Sequence, residues 1–172
     1  MEVEKAIRTR RTHKAYGPRE VSGERLQRLF ELARWAPNHH VTNPWRFRVL
    51  GPETRARLME LAEAREPGAA AKLRRSPTLV AVSACQQGVS DRDREDLLAT
   101  AVAAYIVLLA AHADGLAGYW RTVPLLEEPS GRAIVGIPPE ETPVGLLYLG
   151  EPVQEQRAPE REPAEAFVLY TP

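Results

Sequence analysis

Apolar and polar positions alternate along this chain with two different periods. In "REVSGERLQRLFELARWAP", residues 19–37, Leu26, Leu29, Phe30 and Ala33 recur at helical spacing. Ser22 stands where an N-cap belongs, and Pro37 marks the exit. "GPETRARLMELAEARE", 51–66, keeps Leu58, Leu61 and Ala62 on one helical face and ends before Pro67-Gly68. "VEKAIRTR", 3–10, is a short helix candidate running into basic residues. "RDREDLLATAVAAYIVLLAAHA", 92–113, is apolar nearly all round, which predicts a long helix buried on several sides. Asp91 is its candidate cap, acidic residues suit its first turns, and Gly115 is its stop signal. So much burial for one helix hints at a homodimer.

Four segments carry strand signals. "WRFRVL", 45–50, alternates large apolar and basic side chains, as a half-buried strand does. "SPTLVAVSAC", 76–85, is apolar on both faces and reads as a central strand. "LAGYWRTV", 116–123, and "PVGLLYLG", 143–150, are further strands, with "EEPSGRAIVGI", 127–137, as a short helix or loop between them. From Glu151 to Pro163 the chain is rich in Pro, Glu and Arg without period, so it reads as an extended tail. "AFVLY", 166–170, restores a strand signal that must find a partner, and a second subunit is one economical answer. The order of elements predicts α+β or α/β, with helices covering a mixed sheet. Residues 1–150 form one domain and 151–172 an arm.

Composition narrows the function classes. A chain of 172 residues with 44% apolar and 27% charged residues suits one globular domain. Formal net charge is zero, so no global field favours nucleic acid or an anionic membrane. Cys85 is the single cysteine, which rules out a disulfide within the chain and points to a reduced, cytoplasmic setting. "MEVEKAIRTRRTH" lacks the apolar core of a signal peptide. The apolar run Leu97–Ala111 falls short of the roughly 20 residues a membrane span needs.

Any anion site must therefore come from local clustering. "RTRRTHKAY", 8–16, gathers Arg8, Arg10, Arg11 and Lys14 with two threonine hydroxyls, a composition that suits a phosphate or merely a solvated helix end. No GxxxxGK[ST], no GxGxxG after a strand, no GxSxG and no HExxH occurs. "APNHHVTNPWRF", 36–47, sets His39 beside His40. Neighbouring side chains diverge in extended structure, and no other His or Cys pair completes a metal shell. His112 reads as a satisfied core histidine and Cys85 as buried and inert. Trp120-Arg121-Thr122 ends a strand with an aromatic plane, a cation and a hydroxyl, which suits either a flat, polar-edged ligand or a core Trp with an exposed Arg.

In this order the segments resemble the FMN-dependent nitroreductase family, and most nearly its short NAD(P)H nitroreductase branch. The likeness rests on the Arg–x–Ser–x–Arg/Lys type of signature at Arg10–Lys14, the "AP" and "PW" pairs after one helix, "GYWRTV" followed by "PVGLLYLGEP", and "AFVLY" as a crossing arm. It implies an α+β intertwined homodimer with a long central helix and FMN at the subunit interface. NAD(P)H would be the hydride source and a small electron-poor molecule, such as a nitroaromatic or quinone, the acceptor. Carried across, Arg10, Arg11 and Thr12 would hold the phosphate and ribityl chain, and Lys14 would approach the flavin's N1–O2 edge. Trp35, Pro37, Asn38, His39 and Asn43 would face the FMN bound mainly by the other subunit, leaving His40 to the turn. Trp120, Arg121 and Thr122 would line the flavin's other side, and Arg161 is the C-terminal basic candidate, with Arg157 the alternative. No side chain is required as an acid or base. Where members read Ser-Ser-x-Asn-x-Gln before Pro-Trp, this chain has Asn38-His39-His40-Val41-Thr42-Asn43. The same resemblance also admits a flavin-fragmenting or dehalogenating enzyme, or a flavin-binding protein with little turnover. A flavin-free dimer is a further alternative.

Overall fold

The computed structural model describes residues 1–171. Helix α1 spans Val3–Thr9, α2 Gly23–Ala33, α3 Pro52–Arg65, α4 Ala69–Arg74, α5 Ser90–Ala113 and α6 Pro129–Val135. The strands are β1 Trp45–Val49, β2 Thr78–Cys85, β3 Ala117–Arg121 and β4 Glu141–Gly150. They form one sheet in the order β1-β2-β4-β3, and every neighbouring pair is antiparallel. The expected mixed sheet is thus antiparallel in its four strands, with parallel pairing confined to the bridge Thr12–Gly118. The reason lies in the crossover. Helix α5 carries the chain from β2 to β3 running the same way, and β4 then inserts between them, antiparallel to both.

The two central strands explain the apolar runs seen in sequence. Val80, Val82, Leu147 and Leu149 face α2 and α5, where Leu26, Leu29, Ala103 and Val107 complete one core. Leu79, Ala81, Leu146 and Tyr148 face the other way, onto Leu58, Leu73, Leu126 and Val135. Successive side chains point to opposite faces, so a strand covered on both sides is apolar at every position. Burying each such Leu or Val contributes roughly 1.5–3 kcal/mol.

Local signals act as read at several places. Ser22 Oγ accepts the Arg25 N–H at 3.3 Å, and α5 stops at a left-handed Gly115, φ +77°. Asp91 does not cap α5. The helix starts two residues earlier, with Val89 at the N-cap position, and it is Asp93 whose carboxylate accepts a backbone N–H, that of Gln87 at 2.5 Å. "AFVLY" forms no strand within this chain. Ala164–Ala166 make a single 3-10 turn, and Phe167, Leu169 and Tyr170 stay exposed. Nor is α5 covered all round. Leu98, Val102 and Tyr105 are exposed along one face. With 24 residues it is long and apolar enough by composition to cross a membrane, but half of its most apolar window is buried within the fold.

One irregularity positions the site. The β2–β4 register slips at Val82/Ser83 opposite Gly145, whose φ is +139°. A Cβ at Gly145 would lie 2.6 Å from the Arg121 carbonyl oxygen, so only glycine lets β3 close on the bulge. Beside it, the buried Glu141 carboxylate takes both Arg48 Nη1 and Nη2 at 2.8 Å.

Candidate cofactor and substrate site

Residues 11–16 pass β3 with a bend at Lys14: Thr12 bridges Gly118, the His13 N–H bonds the Gly118 carbonyl at 3.2 Å, and Tyr16 bridges Pro152. Residues of one parity, Lys14 and Tyr16, look into a cavity of about 200 Å³. From β3 comes the complementary parity, Tyr119 and Arg121, and from β4 Tyr148. Lys72 of α4 and Arg75 just after it close the wall. Four cations and three phenols therefore meet in one place, with no carboxylate in the lining. Arg121 Nη1 reaches the Tyr148 hydroxyl loosely, at 3.5 Å. Burial pushes the Tyr148 phenol above its ordinary range, against the pull of Arg121, and burial raises Tyr16 as well. Both are neutral O–H groups at physiological pH. Tyr16 already donates to the His13 carbonyl at 2.8 Å.

The other half of the basic segment turns toward α5. The Arg10 guanidinium sits 5.9 Å from the centre of the Tyr105 ring, and its buried Nε has no partner among the described residues. Arg11 is spent locally: its Nη1 donates to the Arg8 and Arg10 carbonyls at 2.7 and 2.8 Å, filling the acceptors a helix end leaves open. Thr12 is exposed. His112 Nε2 meets Thr9 Oγ1 at 2.8 Å, so the core histidine is satisfied across two helices. Burial lowers the pKa of both His13 and His112, and Arg10 adds to the effect on each.

Around 35–43 the chain makes a strained loop. His40, Val41 and Asn43 all hold positive φ, 53°, 52° and 48°, and such a conformation is a genuine outlier for a β-branched Val. Asn38 turns inward rather than outward. Its Oδ1 accepts the Asn43 N–H at 3.0 Å and its Nδ2 donates to the Ala36 carbonyl. Asn43 Nδ2 is likewise engaged, with the Val41 carbonyl at 2.9 Å. Thr42 ties the loop to α5 through Asp96, which is 2% exposed and also receives Gln87 Nε2 at 2.8 Å. Trp35, 80% exposed, together with Pro37, His39 and His40, is left on the surface.

The structure therefore unites Lys14 with Arg121 but separates Trp120 from both. Trp120 points to the opposite face of β3, packs on the α2–α5 core and donates Nε1–H to the Val144 carbonyl at 3.1 Å. Thr122 and Arg161 are exposed. Sequence reading missed Lys72, Arg75, Tyr148 and Asp96. One signal pointed at the first: only three of the 23 basic residues are lysines, and two of them, Lys14 and Lys72, line the same cavity. Cys85 is half-buried, and burial raises its pKa, as expected of an inert thiol.

Comparison with known proteins fits this geometry. A family model described as Nitroreductase family matches residues 7–74 and 60–151. The chain is 30% identical over 142 residues to the protein named "Putative NAD(P)H nitroreductase YdjA" of Escherichia coli (strain K12), covering 76% of this chain and 78% of that one. The fold superposes with a TM-score of 0.90 on a nitroreductase-like family protein from Bacillus cereus, at 21% identity over 99% of this chain and 96% of that one. It also matches a structure described as a putative nitroreductase in complex with FMN from Desulfovibrio desulfuricans, with a TM-score of 0.82 and 23% identity over 99% and 96% of the two chains. The chain belongs to the nitroreductase family.

Proposed function

We propose that this protein is an FMN-dependent oxidoreductase that works as a homodimer, takes hydride from NAD(P)H and reduces an electron-poor acceptor in a separate half-reaction. What supports the reading, beyond the family, is the set of donors left without partners. The Arg10 Nε is buried and unsatisfied, and Lys14 and Arg121 open onto a cavity without a carboxylate. Unpaired buried donors are rare unless a ligand completes them, so this donor set fits an anionic, acceptor-rich cofactor. FMN, when bound, supplies the two-electron chemistry.

The chain's own residues then have distinct tasks. Arg10 and Thr12 hold the phosphate, while Arg11 fixes the end of α1 that presents them. Lys14 lies along the flavin's N1–O2 edge, where a cation favours electron uptake. Arg121 and Thr122 flank the ring, and Trp120 supports β3 from behind. Pro37 and His39, with Trp35, reach the FMN site of the partner; Asn38 and Asn43 hold their loop in shape. The arm from residue 151 packs on the other subunit and brings Arg161 toward the phosphate. Exposed Leu98, Val102 and Tyr105 on α5 supply the apolar face that a second copy covers. A chain with one cysteine suits the reducing cytoplasm.

The test is a visible absorption spectrum of the purified protein, repeated after anaerobic addition of NADPH and of NADH. A bound-flavin spectrum that bleaches supports the reading. A colourless protein that takes up no added FMN overturns it.

A further inference from the structure

Outside the cavity beside β3 a carboxylate stands against many of the cations. Eight arginines pair with a carboxylate: Arg8, Arg19, Arg25, Arg28, Arg34, Arg48, Arg55 and Arg65. The cavity beside β3 differs in gathering four cations, Lys14, Lys72, Arg75 and Arg121, with no carboxylate in its lining. Lys72 has only a distant partner, Glu66 at 3.8 Å, itself well exposed. Lys14, Arg75 and Arg121 form no ion pair among the described residues. In a chain of zero formal charge, four cations gathered without an acid among them are a local excess of positive charge.

The uncharged groups carry the same message. Tyr148 receives a proton donor from Arg121, which leaves its own O–H free to donate. A ligand group placed there meets ammonium, guanidinium and phenol donors and almost no acceptor. At about 200 Å³ the space is below the roughly 300 Å³ at which whole small-molecule sites begin, so it takes one substituent of a larger ligand.

From this we infer that the acceptor is an anion: a flat, electron-poor molecule carrying a carboxylate, seated against Arg75, Lys72 and the Tyr148 hydroxyl. The inference rests on the flavin reading above. Lys14 is there assigned to the flavin edge, and the remaining cations exceed what one ring edge requires. Arg75 and Lys72 thus become specificity residues, which select the acceptor by charge and leave its reactive end at the flavin.

The experiment uses the FMN-loaded protein and a matched pair of probes, 4-nitrobenzoate and its neutral amide, 4-nitrobenzamide. Binding is measured calorimetrically at low and high salt, and turnover of both probes is measured in parallel. One charge-assisted contact corresponds to a preference of about tenfold for the benzoate at low salt. That preference shrinks as salt rises, in affinity and in kcat/KM alike. Arg75→Gln, an exposed position after α4, draws the two probes together in affinity. Equal binding of the two probes by a protein whose flavin does bleach with NAD(P)H overturns the inference and leaves the flavin reading intact. A protein without flavin, or whose flavin is not reduced, overturns both.

Discussion

Thr42 donates its hydroxyl hydrogen to Asp96 Oδ1 at 2.5 Å, joining a strained surface loop to the second turn of the long helix α5. Asp96 is the one buried carboxylate on that helix, and its other oxygen holds Gln87. Left-handed backbone at three non-glycine residues costs on the order of 1–3 kcal/mol each, so the loop persists only while such contacts over-determine it.

Removing that tie should therefore loosen the loop before it unfolds the domain. Asp96→Ala leaves Thr42 and Gln87 without their acceptor and is expected to cost about 2–3 kcal/mol, and Thr42→Val about 1 kcal/mol, read from urea unfolding midpoints. Hydrogen exchange at residues 39–43 should rise in both variants while β2 and β4 stay protected. Unchanged exchange in the loop would show that Asp96 does not hold it.

Arg10 and Lys14 make separable predictions. If Arg10 holds the phosphate as proposed, Arg10→Ala should weaken FMN retention by about tenfold or more, as loss of a charged hydrogen bond does. Lys14→Ala should slow anaerobic reduction by NAD(P)H more than it weakens FMN binding. Equilibrium dialysis and stopped-flow absorbance distinguish the two, and parent-like behaviour in both variants would refute the assignment.

Val102 tests the dimer. It is 41% exposed in the single chain, so Val102→Glu should change the stability of one subunit by no more than about 0.5 kcal/mol. In a dimer the same carboxylate would be buried unpaired at a cost of several kcal/mol. Light scattering after gel filtration should show the variant as a monomer, with FMN lost alongside.

Acid should destabilise the fold through His13 and His112. Both have folded pKa values lowered from 6.5, by burial first. The unfolded chain consequently binds more protons as pH falls, so their contribution is complete above pH 6.5 and is lost as pH drops toward the lower folded values. His112→Gln keeps a donor for Thr9 Oγ1, whose own hydrogen goes to the Lys5 carbonyl, and removes one titration. Its urea midpoint should fall less than that of the parent between about pH 7.5 and pH 5.5.

How far the sequence carried this picture depends on the range of the forces involved. Helices α2 and α3, the doubly buried β2 and β4, the Ser22 cap and the Gly115 stop follow from spacing and from contacts within a few residues. The family likeness was legible for the same reason, since its signatures are short and ordered. Long-range packing decided the rest. That Lys72 stands with Lys14, and that Trp120 and Arg121 part to opposite faces of β3, follows from sheet order and the pleat. Asn38 turned inward because a loop closing on itself needs internal acceptors, and Asp91 fell inside the first turn because α5 began two residues early. Residue types set which groups could bind an anion; only the tertiary fold, by leaving some cations paired and others bare, decided which of them remain available to do so.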